Sequence, residues 1–231
     1  MLFVINLTAL ISTLLAFIRW MPQAIRLHKN SCFKGVNINL FLLICCASVL
    51  VATNQLLTDA PNRLLIAQVG AQFLFAFFIV LRYFFAIKEK WLSITARLLF
   101  FLAVPFLIIQ TGYISSLSLS TFAGAYFIGC WWCQLWTVLV KPILRTNRLL
   151  LKDIKESFQS MNLDGISLPS FIISCCCMLC MIPNLLMIKA DTVLFLSYVN
   201  GAICSFIIVL ITSRLRMIRA KAARQQASLS A

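Results

Sequence analysis

Side-chain amides inside long apolar stretches are the groups of this sequence best suited to bind a small molecule. An amide both donates and accepts hydrogen bonds, and an unpaired one is costly in hydrocarbon. Each amide must therefore face a partner helix, water or a ligand. For any one of them, a hydrogen bond between helices is the simpler interpretation. The candidates for contact with a substrate are Asn54, Gln68, Gln72, Asn184 and Asn200.

Internal similarity strengthens this hypothesis for two of the amides. A shift of 130 positions aligns Asn54 with Asn184. Two equivalent amides that face a common axis would present donors and acceptors to one molecule between them. The same shift also aligns Gly35 with Gly165, Phe41 with Phe171, Gln68 with Tyr198 and Gly70 with Asn200. Upstream, a shift of 120 aligns Pro22 with Pro142, which predicts a longer second loop.

Proline at the ends of the apolar stretches is the second repeated feature. A proline removes one helix hydrogen bond, so Pro22, Pro142 and Pro169 are candidate hinges. Simple helix termination is the alternative interpretation for Pro142 and Pro169. Gln23 places a polar amide directly beside the first break, and we group it with these candidate hinge residues.

Acidic residues bear on proton coupling, because carboxylates inside a helical bundle are the usual proton carriers. All 6 Asp and Glu residues fall in loops or at the ends of apolar stretches. For a carrier, this distribution favours facilitated transport over proton coupling, and it favours a neutral or zwitterionic substrate over a cationic one. Asp59 and Asp191, at the predicted outer mouth, keep proton coupling open.

No pattern in the sequence favours an enzyme. The one histidine, His28, lies in a basic loop, and no Ser/His/Asp set, phosphate-binding loop or pair of intramembrane carboxylates can be assembled. Cysteine pairs with metal-like spacing fall within apolar stretches, where free cysteine behaves as a small hydrophobic residue. We expect no metal and no cofactor.

The composition requires elements that cross a membrane. Hydrophobic residues make up 62% of the chain and charged residues 11%, which leaves too little polar surface for a soluble protein. About 20 apolar residues span the hydrocarbon core. Seven such stretches are predicted, at about 2–25, 38–58, 62–87, 96–114, 118–143, 167–188 and 191–213. We therefore predict an all-α membrane protein with seven transmembrane helices.

The distribution of basic residues predicts the orientation. With seven spans, all but two of the 20 Lys and Arg residues fall on one side of the membrane, and the exceptions are Arg63 and Lys189. Because basic loops stay in the cytosol, we predict an outer or lumenal N-terminus and a cytosolic C-terminus. The net charge of +14 thus reflects orientation, and we expect no nucleic-acid partner. The sequence shows no targeting signal, which favours a bacterial inner membrane and leaves a eukaryotic organelle membrane open.

The segment Trp20-Met21-Pro22-Gln23, followed by a basic loop and Gly35, resembles the PQ-loop motif of a seven-helix family that includes the SWEET sugar transporters and cystinosin. The resemblance implies two parallel three-helix units joined by one helix. It assigns 1–90 to the first unit, 91–116 to the connector helix, 117–215 to the second unit and 216–231 to a basic, disordered tail.

The resemblance also implies a function in the lipid bilayer. A carrier of this kind moves a small polar metabolite, such as a sugar or an amino acid, by alternating access. The positions that line the pocket in SWEETs match Asn54, Asn184 and Asn200, whereas Gly70 stands in place of a fourth amide. The alternatives are a proton-coupled amino-acid exporter of the cystinosin type and a peptide-binding receptor like the KDEL receptor. A homo-oligomer is left open.

Overall fold

The structure, a computed structural model, describes residues 2–30, 33–57, 63–86, 91–110, 119–144, 157–158, 160, 163–187 and 192–229. All regular secondary structure in these ranges is helical, and seven of the helices are long. In chain order the helices are α1 (Leu2–Ile18), α2 (Met21–Asn30), α3 (Ile38–Leu56), α4 (Arg63–Ala86), α5 (Trp91–Gln110), α6 (Leu119–Leu135), the short α7 (Lys141–Leu144), α8 (Leu168–Met187) and α9 (Thr192–Leu229). A helix thus lies in each of the seven predicted spans.

The helices carry the length and polarity of membrane spans. By these two properties, four segments are able to cross a membrane: Ile38–Leu56, Leu65–Ala86, Thr121–Leu144 and Thr192–Lys221. Leu92–Ile108 and Leu168–Pro183 are shorter apolar helices. Large apolar side chains on the outside, such as Leu74, Leu99 and Ile203, are more than half exposed, as lipid-facing residues are. The prediction of an all-α membrane fold is confirmed.

Helix packing follows a matched pattern in the two halves of the chain. The contact of α3 with α6 has its counterpart in the contact of α8 with α1, so the second helix of each half lies against the first helix of the other. Within the halves, α3 packs on α4 as α8 packs on α9, and α1 packs on α4 as α6 packs on α9. The single helix α5 contacts α3 and α6 from outside this arrangement.

Two similar turns precede α3 and α8. In the first, the Val36 N–H donates to the Phe33 carbonyl at 3.1 Å, and in the second the Ile166 N–H donates to the Leu163 carbonyl at 3.0 Å. Both pairs are related by the shift of 130 positions. Gly35 has a φ of 82°, a left-handed conformation that glycine adopts without steric cost. The turns also meet, because the N–H of Gly165 donates to the carbonyl of Lys34 at 3.0 Å.

The first span is broken where the sequence predicts it. After α1 ends at Ile18, Arg19 and Trp20 form a turn, and α2 begins at Met21. Pro22 is the second residue of α2, so its missing N–H cannot bond to the carbonyl of Ile18. The interruption turns the chain without ending the span.

The C-terminal segment differs from the sequence-based prediction of disorder. The helix α9 runs from Thr192 to Leu229 and so continues through most of 216–231. This segment is rich in Ala, Lys, Arg and Gln, which are strong helix formers. High local helix propensity therefore extends a membrane helix into a region that has no apolar face of its own.

Candidate functional site

Four large aromatic side chains meet at the centre of the bundle. The rings of Trp20 and Trp131 are stacked, with centroids 6.1 Å apart and an interplanar angle of 26°. Phe41 packs edge-on against Trp20 at 5.2 Å, and Phe171 packs edge-on against Trp131 at 6.1 Å. All four are fully buried. Each half contributes one tryptophan and one phenylalanine, so this aromatic cluster lies between the halves.

Two glutamines join the halves on one side of the aromatic cluster. Gln23 donates its amide to the Gly165 carbonyl at 2.7 Å and accepts from the Ser167 N–H at 2.7 Å. Gln134 makes the same pair of bonds in the other direction: it donates to the Gly35 carbonyl at 2.8 Å and accepts from the Asn37 N–H at 2.9 Å. We call these two contacts the glutamine clamps. By the predicted orientation they lie toward the cytosolic side.

The structure gives a different alignment of the first helices of the two halves from the one that the sequence predicts. Gln23 corresponds to Gln134 in the clamps, and Trp20 corresponds to Trp131 in the aromatic cluster. Both pairs are 111 positions apart rather than 120. Pro142 therefore does not occupy the place of Pro22. The sequence comparison missed Gln134 as a partner of Gln23 because no proline precedes it. Its one signal was an amide within an apolar helix.

The start of α3 has an additional attachment. Asn37 caps this helix, since its side-chain oxygen accepts from the Asn39 N–H at 3.0 Å. Its side-chain amide donates to the Cys133 carbonyl at 2.7 Å and to the Thr137 hydroxyl at 2.9 Å. A π-helical turn, Trp136–Val140, comes directly after α6 ends at Leu135, and such turns are frequent at functional sites.

The three candidate hinge prolines have different surroundings. Pro22 is half-buried at the break between α1 and α2. Pro142 is buried in α7, just after the π-helical turn, and its carbonyl accepts from the Ser157 hydroxyl at 2.7 Å. Pro169 is exposed in the first turn of α8. A backbone N–H at this position would have no partner within the helix, so the proline costs no hydrogen bond there. The argument from a lost hydrogen bond therefore supports a hinge at Pro22 but does not support one at Pro169.

A small cavity lies near the middle of the bundle, farther from the predicted cytosolic side than the glutamine clamps. Its volume is about 10 Å³, which is room for about one water molecule. The lining residues come from both halves: Arg19, Gln72, Phe127, Met178, Ser197 and Tyr198. Met178 stands halfway along α8, so the cavity is at mid-depth of that helix. We call this the central cavity.

Two of the residues that line the central cavity have a polar atom that is buried without a hydrogen-bond partner among the described residues. The cost of such atoms marks a place where water or a ligand is expected. These atoms are Nε of Arg19 and Oε1 of Gln72. Nε1 of Trp20 and Nε1 of Trp131 in the aromatic cluster, and Nδ2 of Asn200 in α9, are also buried without a partner in the described part of the chain.

The candidate substrate amides fall into two groups. Gln68 and Gln72 are fully buried, and Gln72 lines the central cavity. Gln68 lies near Tyr198, the residue with which the shift of 130 aligns it, and its Nε2 is buried without a hydrogen-bond partner among the described residues. Asn200 is half-buried and its side-chain oxygen accepts from the Cys204 thiol at 3.7 Å.

The other predicted site residues are farther from the cavity or are not described. Asn54 is half-buried near the end of α3, and it is not among the residues that line the cavity. Asn184 belongs to α8, but its side chain lies outside the described part of the chain. Asp59 and Asp191 also lie outside the described residues. The hypothesis of a site between Asn54 and Asn184 therefore stays a prediction.

Arg19 is the residue at this site that sequence reasoning missed. The distribution of basic residues predicts that Arg19 lies at a cytosolic boundary, yet only 2% of it is exposed. Its guanidinium carbon lies 5.4 Å from the ring centroid of Trp20, within the range of a cation–π contact. A central arginine costs a membrane helix about 2.5–3.5 kcal/mol on insertion scales. The position at a helix break, four residues before Gln23, was the available signal.

Comparison with known proteins gives one fold-level similarity. A solved structure described as a eukaryotic SWEET transporter, determined at 3.7 Å, superposes with a TM-score of 0.57 over 93% of this chain and 98% of that one, at 12% sequence identity. No protein-family model matches the chain. No curated protein sequence matches it either. At this level of identity the similarity defines the class: the chain is a helical membrane protein with the fold of that transporter.

Proposed function

We propose that the protein is a membrane carrier that moves a small polar metabolite by alternating access. The observation that carries the proposal is the central cavity, which is at mid-depth, is lined from both halves and is lined in part by two polar side chains, Arg19 and Gln72, that each have a buried atom without a partner among the described residues. Ligand sites between two parallel repeats near the middle of the membrane are the arrangement expected of carriers with this architecture. The SWEET transporter with the same fold supports this reading.

The proposed cycle assigns different tasks to different residues. Gln72, with Gln68, Tyr198 and Asn200 nearby, supplies the hydrogen bonds that replace water around the substrate. A cavity of about 10 Å³ is too small for a metabolite, so the halves must separate before it binds. We propose Asn54 and Asn184, near the ends of α3 and α8, as contacts on the outer path to this site.

The glutamine clamps act in this proposal as the inner gate. Each clamp joins the first helix of one half to the start of the second helix of the other, so opening toward the cytosol must break at least one of them. Pro22 provides the bend that lets α2 move relative to α1. Binding of substrate on the outer side would favour release of the clamps by lowering the energy of the open form.

Transport is not coupled to protons in this proposal. The buried polar and charged residues that the structure describes include no carboxylate. We therefore propose facilitated transport down the substrate gradient, with Asp59 and Asp191 as the residues through which a proton-coupled exporter would have to work.

Uptake into proteoliposomes tests the proposal. Purified protein is reconstituted and offered labelled sugars, amino acids and organic acids, one at a time. We expect saturable uptake of at least one class, and we expect the Gln72→Leu variant to lose at least nine-tenths of it (order of magnitude, from one lost buried hydrogen bond and an added apolar group). Gln110→Leu, at the exposed end of α5, is the matched control and should leave uptake unchanged.

Further variants and measurements separate the alternatives. Substitution of Asn54 and Asn184 together by alanine tests the site that the sequence predicts, and full uptake by this double variant would restrict the site to the central cavity. A pH gradient that drives uptake uphill would replace the facilitator with a proton-coupled carrier. Binding that raises the melting temperature without any uptake would instead favour a receptor. Neither binding nor uptake of any class would refute the proposal.

A further inference from the structure

Arg19 places one positive charge inside the bundle. The side chain is 2% exposed and lines the central cavity together with Gln72, Ser197 and Tyr198. It lies between the end of α1 and Gln23, the residue whose amide bonds to the opposite half. The long side chain of a boundary arginine normally reaches the lipid headgroups. The surroundings of Arg19 do not offer that route.

No described acidic residue balances this charge. The residues that line the central cavity carry hydroxyl, amide, thioether and aromatic groups but no carboxylate. Asp164 is the one acidic residue that the structure describes, and it is exposed in the turn before α8. The ring of Trp20 contacts the guanidinium group through its face and leaves Nε without a hydrogen-bond acceptor.

The corresponding position of the second half is not charged. The shift of 111 that aligns Trp20 with Trp131 aligns Arg19 with Cys130, which is fully buried and donates to the Phe127 carbonyl at 3.1 Å. The cavity therefore has a positive end and a neutral end. A substrate with a negative group at one end fits such a cavity better than a uniformly neutral one.

We propose that Arg19 binds the carboxylate of the transported metabolite. Guanidinium presents its donors in a planar fork that matches the two oxygens of a carboxylate, and buried arginine is suited to this pairing. Gln72 and the hydroxyl groups of Ser197 and Tyr198 are placed to bind polar groups on the rest of the molecule. This inference rests on the proposed carrier function and narrows its substrate to small organic carboxylates, either hydroxy acids or amino acids.

Matched ligands on the wild-type protein provide the first test. The probes are lactate and glycerate beside lactamide and glyceramide, which have nearly the same shape without the charge, together with alanine, serine, glutamine, glucose and sucrose. Binding is followed by intrinsic tryptophan fluorescence, to which Trp20, in contact with the guanidinium, contributes, and by the melting temperature. We expect at least one acid to bind and its amide to bind at least ten times more weakly. Lactate against alanine then distinguishes a hydroxy acid from an amino acid.

Variants provide the second test. Arg19→Gln should lose acid binding and acid uptake, whereas Arg19→Lys should keep part of both because it retains the charge. Arg214→Gln, at an exposed site in α9, is the matched control and should behave as wild type. If Arg19→Gln does not fold, the comparison of acid with amide on the wild-type protein and the Arg19→Lys variant still decide the question.

Three results would overturn the inference. Equal binding of acids and amides would show that the protein does not recognise the carboxylate charge. Undiminished acid uptake by a folded Arg19→Gln protein would show that Arg19 does not bind it. Uptake of glucose or sucrose but of no acid would also reject the role of Arg19 while leaving the carrier function intact. Absence of uptake for every probe would instead count against the carrier function itself.

Discussion

Gly70 and Gly201 lie in the third helices of the two halves, at adjacent positions in the alignment, and their surroundings are opposite. A methyl group added at Gly70 would meet nothing within 4 Å. Gly70 lines an open apolar groove of about 950 Å³ between α1, α2 and α4. A methyl group at Gly201 would come within 2.7 Å of Trp131 Nε1 and closer still to Met178. The first half is loosely packed where the second half is tightly packed.

At the clamps the two halves are instead alike. Gln23 and Gln134 each make one donated and one accepted bond to the turn of the opposite half, and their four distances lie between 2.7 and 2.9 Å. The comparison teaches that the halves share the contacts that join them but differ in how firmly their third helices are held. In a carrier, the loosely packed half is the one expected to move further.

Substitution of the two glycines should give the largest difference in stability between the halves. Gly201→Leu should destabilise the protein by about 3 kcal/mol or more, because the rigid Trp131 ring leaves no room for the side chain. Gly70→Leu should be neutral or slightly stabilising, since the groove is open and leucine favours helix. Thermal unfolding in the same detergent measures both. Equal losses of stability would contradict the difference in packing between the halves.

The clamps test the similarity of the halves. Gln23→Leu and Gln134→Leu should each cost about 1–3 kcal/mol, because each leaves one backbone carbonyl and one backbone N–H without a partner, buried at Gln23 and partly buried at Gln134. The two losses should agree within about 0.5 kcal/mol. Unfolding in denaturant measures them. A large loss of stability in only one variant would contradict the similarity of the clamps and would show that one of them holds the two halves together more strongly.

Asn37 and Ser167 test a smaller difference between the halves. Both residues precede a second helix and donate an N–H to a glutamine, but the side chain of Asn37 also caps α3 and bonds to Cys133 and Thr137. Asn37→Ala should cost about 0.5–2 kcal/mol, as loss of a helix cap does. Ser167→Ala, which keeps its backbone bond, is the matched comparison and should cost less. A reversed order would show that the side-chain bonds of Asn37 do not stabilise the turn.

Much of the fold could be predicted from the sequence because hydrocarbon imposes a simple length on apolar helices. The spans followed from this length, and the break near Pro22 followed from the missing N–H. The helical tail could not be read from hydropathy, since its stability comes from propensity and from continuity with α9. The bond between Gln23 and the turn at Gly165 joins residues 142 positions apart, so no local pattern reports it.

The site was harder to predict than the fold for two reasons. A charge near the end of an apolar stretch is read as a boundary residue, and burial of Arg19 depends on how the break at Trp20 turns the chain. The equivalence of Gln23 and Gln134 was hidden because the two halves have different connections between their first and second helices. The amides of Gln68 and Gln72 could be predicted from their apolar neighbours alone, as buried amides need partners.

A reversible lock across the two turns tests most directly whether the halves must separate for transport. Lys34 and Asp164 are exposed, and the turns that hold them are in contact through the Gly165 N–H and the Lys34 carbonyl. The variant with Lys34→Cys and Asp164→Cys is joined by a short thiol crosslinker that a reductant cleaves, and each single variant controls for the native cysteines. We predict that crosslinking abolishes uptake by the double variant and that reduction restores it. Undiminished uptake by the fully crosslinked protein would contradict alternating access between these halves.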